Sequence, residues 1–310
     1  MSLVRTAVIG VGYLGRFHAQ KQRQLKGVDF VGVFDKRAEV AQSVAEELET
    51  RAWLDYRDLI GHVDAVVVAA STSSHYELVK FFLQQKIHVF VEKPITTSVE
   101  EGRELVALAE AGGVKLQVGH VERFNPALRA AQEKLRQPLF VECQRLAPFK
   151  PRSLEVDVIL DLMIHDLDLV LSLVKSKPKK ISAVGTPVIT NQIDIANARI
   201  EFVNGAVANI TASRVSNQAQ RKVRVFQPAQ YLSIDFGEGE VKLISKAGDY
   251  HPGEALPLKS EIWNLQRGDA LLAENQAFIE AIQEDRSPIV SGQDGVEALV
   301  LAEQIIREIG

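Results

Sequence analysis

Through the first 122 residues, short apolar runs alternate with amphipathic stretches. LVRTAVIG (3–10) reads as a buried strand, and GVGYLG leads from it into HAQKQRQLK, which has helical composition. DFVGVFD is a second strand ending in Asp35, and a helical stretch follows through Glu49. DAVVVAAS (64–71), IHVFVEK (87–93) and KLQVGH (115–120) supply three more strands. Between them lie the helices YELVKFFLQQ and SVEEGRELVALAEAGG. The second has Ser98 as an N-cap, acids in its first turn, and Gly112 and Gly113 at its end. Strands and helices in this alternation predict parallel βαβ units, hence an α/β, doubly wound parallel sheet.

After residue 123 the pattern changes. A helix at PALRAAQEKL precedes the strand FVECQRLA and a further helix over residues 157–171. Alternating strands then follow at IANARIEF, AVANITAS, KVRVFQ, YLSIDF and EVKLIS, with the hairpin signal Asn204-Gly205 between the first two. The helices ALLAENQAFIEAIQ and GVEALVLAEQIIREI close the chain. The second half is therefore expected to be an α+β domain on a mostly antiparallel sheet, with boundaries 1–122 and 123–310, the last helices being able to pack back on the first domain. KSKPKK (175–180) reads as a polar loop after a helix.

DVILDLMIHDLDLVL (157–171) puts four aspartates and a histidine into an apolar run. At roughly 100° per residue, Asp157, Asp161, His165 and Asp168 share an arc of about 80°, while Asp166 alone lies on the far side. The stripe is either a solvated helix face or one wall of a site.

A chain of 310 residues with 46% hydrophobic and 25% charged residues and a mean hydropathy near zero has ample core material. No apolar run approaches the roughly 20 residues of a bilayer span, and MSLVRTAVIGVG lacks signal-peptide architecture, so a cytoplasmic location with no membrane partner is expected. The single cysteine, Cys143, fits a reducing compartment. A net charge of −4 and the absence of a basic stripe argue against nucleic acid as a partner.

GVGYLG matches G-x-G-x-x-G at Gly10, Gly12 and Gly15 in the context that gives the motif meaning: after a strand, before a helix, with the acidic Asp35 20 residues past Gly15. Free N–H groups at the helix start suit a pyrophosphate, and Asp35 suits a ribose diol, which favours NAD. Lys36 and Arg37 keep NADP open. In VFVEKPITTS, Lys93 follows a buried strand directly and precedes a proline, so it is expected in the ligand cleft; His75 reads as a cap, a packing residue or a ligand contact.

GVGYLGRFHA, Asp35, SSHYELV, VEKPI (91–95), GHVERFNPA (119–127) and Asp161-x-x-x-His165, in that order, resemble the Gfo/Idh/MocA family of nicotinamide-dependent oxidoreductases. Ser71 stands where that family commonly has proline, which bears on the loop from Ser71 to His75. The resemblance implies an N-terminal Rossmann domain and a C-terminal domain whose open sheet joins a homodimer or homotetramer. It places Gly10, Gly12, Tyr13, Leu14, Gly15, Asp35, Arg37, Ser71, Thr72, His75, Glu92 and Lys93 at the cofactor, and Arg123, Asn125, Asp161 and His165 at the substrate. Lys93 and His165 become the catalytic lysine and histidine, with Asp161 on the same substrate-facing helix. Within the family, GHVERFNP and DLMIHDLDLVL resemble the branch that oxidises the 3-hydroxyl of UDP-N-acetylglucosamine-type sugars.

Oxidation of a secondary alcohol to a ketone removes its hydroxyl proton as hydride leaves carbon for the nicotinamide. His165 is assigned as general base, oriented by Asp161 or Asp168, Lys93 as hydroxyl polariser or relay, and Asp161 as a ligand of a substrate hydroxyl; the two proton roles are exchangeable. Three other readings stand beside this one: a free sugar or polyol dehydrogenase, a non-catalytic NAD-binding sensor, and a metal site at Asp161, His165 and Asp168. The metal reading is disfavoured by the lysine expected in the same site, so no metal is expected.

Overall fold

The computed structural model describes residues 3–151, 156–266 and 268–310. The chain divides into two compact units, residues 1–121 with 269–299 and residues 122–268 with 300–310.

The first unit is built on six parallel strands, β1 (Val4–Ile9), β2 (Val28–Phe34), β3 (Ala52–Trp53), β4 (Ala65–Val68), β5 (His88–Glu92) and β6 (Leu116–Gly119), in the order β3-β2-β1-β4-β5-β6. Helices α1 (Tyr13–Gln24), α2 (Ala38–Glu47), α3 (His75–Gln84) and α4 (Val99–Gly112) connect them. All four residues of β4 are buried, as a strand covered on both faces requires. The strand order reverses between β1 and β4, so the carboxyl ends of these two strands open a crevice where ligands bind in such sheets. Ser98 caps α4 by accepting from the Glu101 N–H, and Gly113 ends it in the left-handed conformation at φ +66°.

The second unit carries eight strands: β7 (Phe140–Leu146), β8 (Pro178–Thr186), β9 (Ile195–Phe202), β10 (Val207–Ser213), β11 (Gln220–Gln227), β12 (Gln230–Asp235), β13 (Glu240–Lys246) and β14 (Leu258–Asn264). Their order is β14-β13-β12-β11-β7-β10-β9-β8, antiparallel throughout except for the parallel pair β7 and β10. Short α5 (Pro126–Ala131) and α6 (Ile164–Val174) cover one face, over a core that includes Val141, Cys143, Met163, Leu167, Ile210 and Val225. The other face alternates outward as Glu142, Gln144, Arg199, Asn209 and Arg224, with the Phe226 ring in contact with both Phe140 and Tyr231.

Helix α7 (Ala270–Gln283) belongs to the first unit, where Phe278 meets Phe90 at 5.8 Å between ring centroids. Helix α8 (Gly292–Ile309) contributes its first eight residues to that unit and the remainder to the second. After residue 268 the chain thus returns to the first unit, where α7 carries apolar side chains that complete its core.

Three strands escape the sequence pattern, β3, β8 and β14, and all three are sheet edges. β3 is only two residues long, and β8 and β14 have no buried residue, so none shows a readable apolar pattern; Lys179 and Lys180, read as loop, lie exposed on β8, where lysines discourage further strand pairing. The helix expected over 126–135 is α-helical only to Ala131 and 3₁₀ at Gln132–Lys134. The helix expected over 157–171 begins instead as a π-helical turn at Ile159–Met163 and becomes α6 at Ile164.

Candidate active site

Three glycines shape the turn after β1. Gly10 has φ +83°, and a Cβ there would meet Ala70 Cα and N at 2.7 Å; a Cβ on Gly15 would lie 1.8 Å from the Gly10 carbonyl. Both close approaches admit no side chain. Gly12 differs, since a Cβ there would find nothing nearer than Arg37 Nη2 at 3.9 Å. The space beside Gly12 is therefore open, and it adjoins the start of α1, which has no side-chain cap and no acid in its first turn. The first-turn backbone N–H groups of a helix lack intrahelical partners, and such groups suit an anion. This is the fit expected for a dinucleotide pyrophosphate.

Asp35 braces the same turn: Oδ2 accepts from the Val11 N–H at 3.0 Å, and Oδ1 accepts from the Arg37 N–H at 3.0 Å and from Arg37 Nε at 3.4 Å. A cavity of about 490 Å³ is lined by Gly10, Gly12, Asp35, Arg37, Ser71 and Leu78 among others. Thr72, expected at the cofactor, does not line it, whereas Ser73 and Ser74 do, because residues 72–74 form a 3₁₀ turn behind Ser71.

Glu92 and His75, also expected at the cofactor, are committed to the protein. Glu92 is buried; its Oε2 accepts from the Lys93 N–H at 3.1 Å, and its Oε1 lies 2.8 Å from His18 Nε2. His18 Nδ1 in turn lies against the Asn275 amide, 3.1 Å from Nδ2 and 3.3 Å from Oδ1, and Asn275 Oδ1 accepts from Gln22 Nε2 at 2.8 Å. This buried chain from α7 through α1 fixes the backbone at Lys93, which follows β5 through a cis bond to Pro94 and is half-buried. His75 sets Nδ1 2.9 Å from the Pro94 carbonyl and Nε2 3.1 Å from the Ala70 carbonyl, tying together the loops after β5 and β4. Burial pushes its pKa below the ordinary histidine range, although the two carbonyl acceptors and nearby Glu92 oppose the shift.

In the second unit the aspartates of the stripe part company. The π-helical turn interrupts a constant 100° register. Asp157 lies before it and accepts from the Ile193 N–H at 3.0 Å. Asp168 is buried and pairs with Arg123 Nε at 3.1 Å. Asp166, the far-side residue, takes Arg145 through two bonds of 2.9 Å, and Arg145 also donates to Glu122 at 3.0 Å. Burial opposes the charge on Arg145, but Asp166 and Glu122 outweigh it and hold its pKa above the usual arginine value, while burial raises that of Asp166. Asp161, within the π-turn, and His165, in the first turn of α6, remain partly exposed.

Arg123 and Asn125, expected at the substrate, also hold the protein together: Arg123 is paired with Asp168, and Asn125 caps α5 through the Ala127 N–H while donating to Glu122 at 3.3 Å. GHVERFNP and DLMIHDLDLVL are thus locked to each other by buried ion pairs.

A second lock was not anticipated. Asp194, fully buried, accepts from the N–H groups of Val188, Ile189 and Thr190 through Oδ2 and from Thr190 Oγ1 and Arg214 Nε through Oδ1, all within 2.6–2.8 Å. Arg214 also donates to the Val156 carbonyl at 2.8 Å, so the start of the site helix is held by this loop. The readable signal lies in strand phase: Arg145 follows Val141 and Cys143, and Arg214 follows Ile210 and Ala212, at inward-facing positions. An arginine in that phase needs a buried acid.

A model described as the oxidoreductase family with an NAD-binding Rossmann fold matches residues 4–120, and the GFO/IDH/MocA C-terminal domain matches residues 128–229. The chain is 40% identical over 304 residues to UDP-N-acetylglucosamine 3-dehydrogenase of Acidithiobacillus ferrooxidans, covering 97% of this chain and 96% of that one. It is 28% identical over 314 residues to scyllo-inositol 2-dehydrogenase (NAD(+)) of Bacillus subtilis, covering 94% and 90%. A crystal structure of the Acidithiobacillus ferrooxidans enzyme GnnA superimposes with a TM-score of 0.92 at 39% identity, covering 100% of this chain and 98% of that chain. Similarity along the whole length, joined to a cradle whose one open glycine stands at an uncapped helix N-terminus, makes this chain a member of the Gfo/Idh/MocA family of NAD-binding oxidoreductases.

Proposed function

We propose that the protein oxidises a secondary hydroxyl of a nucleotide-linked amino sugar, the 3-hydroxyl of UDP-N-acetylglucosamine being its best representative. The observation that carries this reading is identity of 40% over 97% of the chain to an enzyme of that name, in a chain that carries Lys93, Asp161 and His165. Bound NAD⁺ supplies the hydride acceptor. His165 takes the hydroxyl proton as general base, Lys93 polarises the same oxygen or relays the proton, and Asp161 accepts from a neighbouring substrate hydroxyl. The products are a ketone, NADH and a proton.

Following absorbance of the reduced cofactor tests substrate and cofactor together. NADH formation is expected with UDP-N-acetylglucosamine in preference to free glucose or myo-inositol, and faster with NAD⁺ than with NADP⁺, since Asp35 offers acceptors to a ribose diol and a charge clash to a 2′-phosphate. Preference for a free polyol removes the sugar-nucleotide reading and leaves the family intact. Preference for NADP⁺ means that Arg37, already tethered to Asp35, governs the ribose site. NAD binding without turnover of any of the three substrates favours the sensor reading.

The outward face of the second sheet is the surface we propose for a homodimer or homotetramer. Phe140, Phe226 and Tyr231 give it an aromatic centre among polar side chains such as Arg199, Asn209, Glu142 and Arg224, the composition of an interface core and rim. Light scattering is expected to give a multiple of the 34.2 kDa chain mass that falls in a Phe226→Asp variant; a monomeric wild type removes the proposal.

A further inference from the structure

A cavity of about 620 Å³ lies wholly within the second unit, lined by Ser216, Asn217, Gln218, Gln220, Arg221 and Glu238 among others. It opens where β7 ends, where the loop from β10 turns into β11, and where β12 ends, as the pairings of Leu146 with Gln220 and of Lys222 with Asp235 require. Two ties relate this sheet end to the site helix. Arg214, just past β10, holds Val156 and Asp194, and Arg221 Nη1 stands 3.8 Å from Glu122 Oε1 in the cluster that anchors Asp166. We infer that this cavity is the subsite for the nucleoside diphosphate portion of the substrate, an inference that rests on the sugar-nucleotide reading above.

The lining chemistry supports that ligand class. The Arg221 guanidinium is 53% exposed, and its separation from Glu122 exceeds hydrogen-bond length, so its planar fork of donors remains available to a diphosphate. Asn217, Gln218 and Gln220 bring both amide donors and amide acceptors, which match the mixed edge of a nucleobase and the hydroxyls of a ribose. Their loop is anchored: the Ser216 N–H donates to the Ala147 carbonyl at 3.0 Å, and Ser216 Oγ donates to Ser213 Oγ at 2.9 Å.

The acids of the lining differ from one another. Asp235 is already engaged, accepting from the Gly237 and Glu238 N–H groups at 3.0 and 3.1 Å, with Lys222 Nζ at 3.5 Å. Glu238 is exposed, and its charge opposes a diphosphate more directly than that of the engaged Asp235. The volume lies inside the range of roughly 300–1,000 Å³ for small-molecule sites.

Titration calorimetry of UDP into the full chain tests the subsite, with inhibition and steady-state kinetics beside it. UDP is expected to bind the wild type and to compete with UDP-N-acetylglucosamine but not with NAD⁺. Arg221→Met should weaken UDP binding and raise KM for the sugar nucleotide by about 10- to 100-fold, the loss of a charge-assisted bidentate contact, with kcat changed less than about threefold. Arg221→Lys should recover part of the loss, and Gln218→Ala should cost a few-fold. Glu238→Gln should tighten UDP, an effect that a merely structural residue does not give.

If Arg221→Met and Gln218→Ala leave both UDP affinity and KM unchanged while the sugar nucleotide is oxidised, the subsite is overturned and the reaction stands. If UDP binds through Arg221 yet no sugar nucleotide is oxidised, the subsite stands and the proposed reaction falls.

Discussion

Replacing Lys93 by Ala, or His165 by Asn, is expected to lower turnover by a factor on the order of 10² to 10⁴, with the double variant losing much less than the product of the two. Both are assigned to one proton in one transition state, so removing the second partner after the first removes little more. NAD affinity should change little in either, because the pyrophosphate is assigned to the turn from Gly10 to Gly15 and the ribose to Asp35, in another part of the chain. Stopped-flow measurement of the first turnover, with calorimetric NAD binding as control, distinguishes loss of chemistry from loss of cofactor. Near-normal turnover in both variants returns Asp161 and His165 to the reading of a solvated helix face. The outcome has a structural rationale, since Asp157, Asp166 and Asp168 are held by the Ile193 N–H, Arg145 and Arg123 respectively.

Asp194→Asn should lower the thermal midpoint at neutral pH by on the order of 10 °C, because it leaves Arg214 buried beside an uncharged partner and sets an amide NH₂ against either the three N–H groups or the Arg214 guanidinium. The pH dependence follows from the direction of the carboxyl shift. Burial raises the Asp194 pKa, but the N–H donors of Thr190, Val188 and Ile189 and the Arg214 guanidinium outweigh it, and the group sits well below the usual carboxylate range. A folded-state pKa below the unfolded value of about 4 means stabilisation that is complete above that value and is lost as pH falls toward the folded one. The gap between wild type and variant should therefore be widest at pH 7 and should narrow below about pH 4. Equal midpoints at pH 7 would show that the loop from Val188 to Thr190 holds without the carboxylate. A gap that stays constant down to pH 3 would assign the loss to shape rather than charge.

The features legible in the chain are those whose physics is local. Gly10, Gly12 and Gly15 between a strand and a helix, Asp35 at the end of β2, Ser98 and Gly113 at the ends of α4 and the Asn204-Gly205 turn each depend on backbone geometry within a few residues or one βαβ unit. The strands with one or two buried faces are visible for the same reason, since alternation or a continuous apolar run is a property of the strand itself. β3 is too short and β8 and β14 bury too little to show a pattern, and the phase of the Asp157–Asp168 stripe departs from the constant-register expectation because nothing in ILDLM announces a π-turn.

The sequence by itself determined the class of protein, the cofactor turn and the residue types available for proton transfer. What it left open was the employment of each charge. Whether Arg123, Asn125 and Glu92 meet a ligand or meet the protein depends on partners brought in from other segments: Asp168 for Arg123, the cap of α5 for Asn125, and His18, 74 residues away, for Glu92. Only tertiary structure supplies those partners, because a buried ionised group must be paired wherever the fold places it, and the pairing is selected by three-dimensional neighbours that no spacing along the chain encodes.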